Sequence, residues 1–414
     1  MKIQLPPPGG QTTIFTLYNG LRFVHTEFAG AAAYCGVAVG AGSRDDGEGF
    51  AGRAHFVEHT LFKGTPRRRS WHISNRLERV GGELNAYTTK EETVVYANVP
   101  AGYAFRALDL LADIVADSIF PEGELRKERA VVEEEIKSYL DSPEESVYDE
   151  FEGLIYAGSD MAHNILGSAQ SVAALGQREC RSFLERHYTP GNMVAWCAGP
   201  LRSADALRMA ERAFARLARP DCGRVRVAPP VAPPFDIQRD EEGYQAHTVM
   251  GMRAFDRNDP RRFALFLLNN YFGGPSMNSR LTQELRDKRG YVYAVDSSVA
   301  LMSDCGLMQV YFGADRDRVG RCCRIVRREL EALASECLSP TALQNAKRQY
   351  VGQLLVASDN RENIAMNAAK SVLYYGEARD VRLTAAAIAE VSAEDVRSVA
   401  ELLASQGFSR LTLC

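Results

Sequence analysis

Two histidines and a glutamate stand close together in the chain, at a spacing that suits a single metal ion. They are His55, Glu58 and His59, in the run AHFVEHT. On an α-helix, residues four apart project from the same face, so both imidazoles would point at one site. Zinc binds imidazole nitrogens at about 2.0–2.1 Å, and a catalytic zinc site keeps one position open for water. The pattern therefore predicts a metal site in which Glu58 lies beside the ligands without being one.

A carboxylate from another segment would complete three protein ligands, and the predicted helix 121–140 offers several. Glu128 and Glu135 stand on its predicted inward stripe, whereas Glu133 and Glu134 point more toward solvent and suit an ordinary acidic face. A carboxylate on a buried stripe is costly unless it is paired or bound to a cation. We therefore predict Glu135 as the third ligand, and Glu128 as a carboxylate that lies behind the ligands and orients a histidine. The apolar or aromatic residues of that stripe recur at intervals of seven and are Leu125, Val132 and Tyr139.

The composition of the chain limits the classes of protein to which it can belong. Its 414 residues are 46% hydrophobic and 25% charged, which is typical of a globular protein of about two to three domains. The net charge of −4 gives no general attraction for nucleic acid or an anionic membrane. Because no long apolar run or secretory signal is present, we predict a cytoplasmic protein. The nine scattered cysteines, without a Cys-x-x-Cys pair, argue against a thiolate zinc site or a disulfide framework.

The chain divides at a proline-rich stretch into two halves of similar pattern. The run RPDCGRVRVAPPVAPP has little periodicity and predicts a stiff linker over residues 219–235. Domain 1–218 would then hold the metal site, and residues 236–414 would form a second domain. Strand-like and helical segments alternate in both halves, including a hairpin at Asn19-Gly20 and a helix over 361–374. The predicted fold class is α+β, with two similar domains, each a mostly antiparallel sheet flanked by helices.

The metal motif resembles that of a known family. The order His-x-x-Glu-His is similar to the inverted motif of the pitrilysin/insulinase-type zinc metallopeptidases, the inverzincins. Glu135 stands 76 positions after His59, where this family has its third ligand. The resemblance is strongest to the short bacterial branch, which is also similar to mitochondrial processing peptidase. It implies one zinc ion per chain, held by His55, His59 and Glu135, with Glu58 as the catalytic base.

The segment GGELNAYTTKEETVVYANVP, residues 81–100, also resembles this family. It is similar to the family's edge-strand region, which binds an extended peptide through backbone hydrogen bonds. On this chain the resemblance implies that Asn85 and Ala86 contact the substrate. HYTPGNMVA, at residues 187–195, is a further match.

The segment SRLTQELRDKRGYVY, residues 279–293, resembles the family's C-terminal signature. There an arginine and a tyrosine seven apart reach the zinc site and the substrate, which implies roles for Arg286 and Tyr293. Tyr291 stands where a leucine is usual, so which of the two tyrosines faces the site stays open.

Together these residues predict a zinc-dependent endopeptidase. The resemblance implies that it hydrolyses oligopeptides or unfolded peptides inside an enclosed chamber, and that the chain forms a homodimer. The alternative is a non-catalytic or partner-dependent subunit of a complex like the processing peptidase. Because every metal ligand is present, we expect the catalytic function.

Overall fold

The computed structural model describes residues 10–221, 223, 225–240 and 245–414, so the start of the N-terminal segment and Cys222 lie outside the described residues. The chain forms two compact units. None of the described helices combines the length and the apolar content that a membrane span needs. The first unit comprises Met1–Lys137, His163–Arg224 and Ala357–Asp380, and the second comprises Ser138–Ala162, Val225–Val356 and Val381–Cys414.

The first unit is built on a six-stranded sheet. Its strands are β1 (Gln11–Thr16), β2 (Arg22–Glu27), β3 (Ala32–Val39), β4 (Glu83–Thr88), β5 (Thr93–Pro100) and β6 (Met193–Gly199). They follow the order β1-β2-β6-β3-β5-β4, and only β2 and β6 pair in parallel. β1 and β2 form the predicted hairpin, in which Gly20 takes a φ of 87° that glycine adopts without steric cost. Strand β4 lies at one edge of the sheet.

Helices cover both faces of this sheet. Because successive residues of a strand point to opposite faces, neighbouring residues of β3 pack in two different cores. On one face, Val37 of β3 packs in the same core as Phe56 and Leu125. On the other face, Ala38 and Trp196 pack against a helix from late in the chain. The helices are α1 (Arg53–Thr60), α2 (Ser70–Glu78), α3 (Ala104–Asp117), α4 (Glu122–Leu140), α6 (Ala169–Ala173), α7 (Gln177–His187), α8 (Ser203–Ala213) and α12 (Arg361–Tyr375).

The second unit has a five-stranded sheet of its own. The strands are β7 (Asp236–Arg239), β8 (Ala246–Ala254), β9 (Val292–Leu301), β10 (Gly306–Ala314) and β11 (Ser409–Leu413). The helices are α5 (Pro143–Ile155), α9 (Arg262–Gly273), α10 (Val319–Ser335), α11 (Pro340–Ala357), α13 (Val381–Glu390) and α14 (Ala393–Gln406). Val147 and Phe151 of α5 pack on one face of the sheet, beside Val249 and Leu307.

The two sheets share one topology. In the second unit the order is β7-β11-β8-β10-β9, and only β7 and β11 pair in parallel. This order matches β2-β6-β3-β5-β4 of the first unit, strand for strand in chain order. The predicted fold class, α+β with two similar, mostly antiparallel sheets flanked by helices, is therefore confirmed.

The compact units differ from the predicted limits of 1–218 and 236–414 in two segments. Helix α5 belongs to the second unit, and helix α12 belongs to the first. The Arg22 guanidinium donates a 2.8 Å hydrogen bond to the Val372 carbonyl of α12, and Lys370 forms a 2.5 Å ion pair with Glu92. An amphipathic pattern predicts that a helix covers a sheet, but it does not say which of two similar sheets. The described part of the linker 219–235 contains no helix or strand.

The close contact of β3 with Trp196 leads to a test of the first core. A Cβ added at Gly36 would overlap the ring carbons of Trp196. We expect Gly36→Ala to lower the free energy of unfolding by about 1–3 kcal/mol, because a close-packed core cannot admit the extra atom. Urea unfolding would measure this, with Gly102→Ala as the control, since a Cβ there meets no atom within 4 Å. Equal stability of the two variants would contradict the prediction.

Candidate metal centre

Helix α1 presents the two histidines of the motif on one face. The ring centroids of His55 and His59 lie 4.5 Å apart, and the rings meet edge to face. His55 is buried and His59 is half-buried. Burial, and then the charge of His59, lowers the pKa of His55 to about 3. The His55 imidazole is therefore neutral near pH 7, and a neutral imidazole is the form that binds metals.

Glu135 of α4 completes a cluster of three possible ligands. Its Oε2 lies 3.8 Å from Nε2 of His55 and 3.5 Å from Nε2 of His59. Ligands around a tetrahedral zinc ion with bonds of about 2.0–2.1 Å are separated by about 3.3 Å, so these distances fit such an ion. Among the described residues, this trio is the one group of histidine, cysteine and carboxylate side chains close enough to hold a metal.

The buried face of α4 differs from the predicted stripe. Val132 is buried as predicted, but Ile136 takes the place of Tyr139, which is only half-buried. On a straight helix, a repeat of seven drifts by about 20° per heptad, so the buried face follows spacings of three and four. The side chain of Glu135 is 43% exposed, and the prediction that it lies on a buried stripe is wrong. It lies at the edge of that stripe, where it reaches both the histidines and solvent.

Glu128 is the buried carboxylate of this helix, and it lies behind His59. Its Oε2 is 3.3 Å from Nδ1 of His59, and its Oε1 is 2.5 Å from Nζ of Lys63. A carboxylate at Nδ1 favours the tautomer that leaves the Nε2 lone pair free, on the side where Glu135 lies. Lys63 balances the charge of Glu128. The sequence reasoning placed Glu128 in this position but missed Lys63, although Lys63 stands one helical turn after His59.

Nδ1 of His55 shows a different environment. It is buried and makes no hydrogen bond within the described part of the chain. The other ring nitrogen, Nε2, is the one that faces Glu135. With the proton on Nδ1, the neutral ring carries its lone pair on Nε2, where a bound cation would use it. Two imidazole nitrogens and one carboxylate oxygen are a donor set that fits a zinc ion.

Glu58 stands beside the trio and is held by a residue that sequence reasoning missed. Its Oε2 accepts a 2.9 Å hydrogen bond from Oγ1 of Thr88. Burial raises the pKa of Glu58 and the nearby Glu135 raises it further, whereas His59 and the Thr88 hydrogen bond lower it. A raised pKa suits a carboxylate that must accept and then release a proton. Thr88 lies in the family-like segment 81–100, but no spacing rule connects it to Glu58.

Asn85 and Ala86 lie in β4, one of the two edge strands of the first sheet. β4 pairs with β5 on one side, and no other described strand borders it. Unpaired backbone groups on an edge strand can bind an extended peptide as a further strand. Thr88 ends the same strand, so β4 and the Glu58 carboxylate are directly connected.

Arg286 and Tyr293 lie together in the second unit. Arg286 is in the π-helical turn Thr282–Asp287, and its guanidinium carbon lies 5.8 Å from the ring centroid of Tyr293. Tyr293 is 80% exposed, whereas Tyr291 is half-buried beneath the guanidinium of Arg318. Of the two tyrosines, Tyr293 is thus the one whose ring is open to solvent.

Comparison with known proteins decides the family. The model of Insulinase (Peptidase family M16) matches residues 24–168, and the model of Peptidase M16 inactive domain matches residues 176–350. The chain belongs to peptidase family M16. A relative in Mycobacterium tuberculosis, named an uncharacterized zinc protease, is 35% identical to this M16 chain and covers 96% of it and 92% of its own length.

This M16 chain is also similar to a plant protein and to a bacterial protein of known structure. A probable mitochondrial-processing peptidase subunit beta of Arabidopsis thaliana is 28% identical, with 94% of this chain and 76% of the plant protein covered. A crystal structure of a peptidase M16 inactive domain from Pseudomonas fluorescens has a TM-score of 0.91 at 20% identity, and 97% of each chain is covered. The resemblance to the M16 family, including its similarity to mitochondrial processing peptidase, is therefore confirmed.

The contact between Glu128 and His59 leads to a second test. We expect Glu128→Gln to raise the zinc dissociation constant about tenfold, because the carboxylate that orients His59 loses its charge. Competition with a chelating dye would measure this constant. Glu134→Gln is the matched control, since Glu134 is on the same helix and forms an exposed 2.6 Å ion pair with Lys137. If both variants bound zinc equally well, Glu128 would not support the metal.

Proposed function

We propose that this chain is a zinc-dependent endopeptidase that binds one zinc ion through His55, His59 and Glu135. One observation carries the proposal. Three ligand atoms converge within 4.8 Å of one another, and a further carboxylate of raised pKa, Glu58, lies on the same helix as the two histidines. Relatives named zinc proteases support the metal and the reaction class.

The chain's own residues supply the proton transfers and the positioning. When bound, zinc supplies Lewis-acid chemistry, which makes water a stronger acid and a peptide carbonyl a better electrophile. Glu58 takes the proton of the attacking water and passes it to the leaving amine. Thr88 holds the Glu58 carboxylate in place, and Glu128 orients His59. The backbone of β4 aligns the peptide, with Asn85 and Ala86 as its contacts.

The substrates that we propose are oligopeptides or unfolded peptides. An edge strand recognises backbone, so it selects an extended chain and excludes peptide bonds inside folded structure. The roles of Arg286 and Tyr293 at the zinc site and the substrate stay predictions from the sequence, as do the enclosed chamber, the homodimer and the cytoplasmic location. The competing proposal is a non-catalytic or partner-dependent subunit, which the complete ligand set and the presence of Glu58 disfavour.

Replacement of the proposed base separates metal binding from hydrolysis. We expect Glu58→Gln to bind zinc as the wild type does but to lose about 10²- to 10⁴-fold in kcat, the usual contribution of a general base. Zinc content by atomic spectroscopy and cleavage of a quenched fluorescent peptide library would be measured together. Glu134→Gln serves again as the control. Full activity in Glu58→Gln would overturn the mechanism.

Removal of the metal tests the enzyme against the non-catalytic alternative. We expect 1,10-phenanthroline to abolish peptide cleavage and one equivalent of zinc per chain to restore it, because the ligand set is built for one ion. The non-chelating isomer 1,7-phenanthroline is the control. A chain that binds one zinc ion yet cleaves no peptide would support the partner-dependent subunit instead.

A further inference from the structure

Helix α1 receives its N-terminal cap from outside the helix. Its N-cap residue is Gly52, which has a φ of 88° and no side chain to accept the first backbone N–H groups. Asp46 supplies both acceptors: its Oδ2 accepts from Gly52 N at 2.8 Å and its Oδ1 accepts from Ala54 N at 2.6 Å. The metal ligand His55 is the next residue after Ala54. Asp46 therefore holds the turn of helix that presents His55.

The Asp46 carboxylate is itself fixed from its other side. Asp46 is fully buried, and Nε2 of His163 lies 3.1 Å from its Oδ2. The same His163 nitrogen is 2.8 Å from the Ser43 carbonyl, and the backbone carbonyl of His163 accepts a 2.6 Å hydrogen bond from Lys90. The Arg53 guanidinium donates to the backbone carbonyl of Asp46. With contacts on every side, Asp46 has little freedom to move relative to α1.

The turn before Asp46 joins the metal helix to the end of the edge strand. Ser43 N donates to Thr89 O at 3.0 Å, and Arg44 N donates to Lys90 O at 2.9 Å. The Arg44 guanidinium also forms a 2.8 Å ion pair with Glu91, and both side chains are only 2% exposed. These partners directly follow Thr88, which holds Glu58. The turn that precedes Asp46 thus connects the residues that follow β4 with the helix that carries His55 and His59.

We propose that Asp46 is a positioning residue of the zinc centre, an inference that rests on the proposed function. It sets where the first turn of α1 lies, and hence the separation of the two histidine nitrogens from Glu135. An ordinary helix cap would stabilise the fold alone. A positioning residue must also change the affinity for the metal and the ligand field around it, as partners behind the ligands do.

The neighbouring residue provides a matched control. Asp45 loses the same charge when it is changed to Asn, and it lies in the same turn. Its Oδ2 accepts a hydrogen bond from Gly42 N at 3.1 Å, outside α1. In Asp46→Asn, by contrast, one of the two cap acceptors becomes an NH₂ group that faces a backbone N–H. Asp46→Asn therefore alters the cap of the helix that carries His55, whereas the bond from Gly42 to Asp45 lies before that helix.

The experiment compares Asp46→Asn with Asp45→Asn in the full chain. Zinc affinity would be measured by chelator competition, the ligand field by visible absorption of the cobalt-substituted protein, and stability by thermal unfolding. We expect Asp46→Asn to raise the zinc dissociation constant about tenfold or more, to shift the cobalt bands, and to lower kcat more than it changes KM. Asp45→Asn should bind zinc and cobalt as the wild type does. If Asp46→Asn lowers Tm alone, Asp46 is only a helix cap and the inference fails.

A second variant keeps the inference testable if Asp46→Asn does not fold. His163→Gln leaves the two bonds from Asp46 to the helix in place and loosens the carboxylate on its other side. We expect a rise of about twofold to fivefold in the zinc dissociation constant, and an unchanged constant would overturn the inference. A wild-type chain that binds zinc but cleaves no peptide would overturn the proposed function alone. One that binds no zinc would overturn both.

Discussion

The candidate metal centre depends on one constraint, which is that two separate helices hold their ligand atoms within a few ångströms. Two ligands come from α1 and the third from α4, so any slip of one helix on the other would separate them. Phe56 of α1 and Val132 of α4 belong to the same buried core, which packs against the sheet. Because such cores are packed as densely as organic crystals, they resist sliding. The metal geometry is thus set by apolar packing as much as by the ligands.

Three glutamates near this centre have different environments and therefore different chemistry. Glu135 is partly exposed and free to bind a cation, while Glu128 is buried between His59 and Lys63. Glu58 is half-buried without a cationic partner of that kind, and burial raises its pKa. One side-chain type can thus serve as ligand, as support for a ligand and as proton acceptor, because burial and neighbours decide its charge and reach.

The second unit has the same strand topology, but its described residues include no group of metal ligands. In strand order, α9 follows β8 as α1 follows β3. Yet α9 has apolar residues such as Leu265 and Leu268 buried along it, and the described residues of the second unit contain no metal-binding group. The shared strand order therefore supplies a scaffold, and the chemistry comes from a few side chains placed on one copy of it.

The sequence by itself determined the features that arise from local spacing. The turn of the helix places His55 and His59 on one face, and the matching pattern of the two halves indicates the duplicated α+β fold. Only the tertiary structure decided that α12 joins the first sheet, that Thr88 holds Glu58, and that Asp46 caps α1 from outside. It also corrected the burial of Glu135. Periodicity in a sequence reports on neighbours along one helix or strand, whereas these contacts join segments that are distant in the chain, and packing alone selects them.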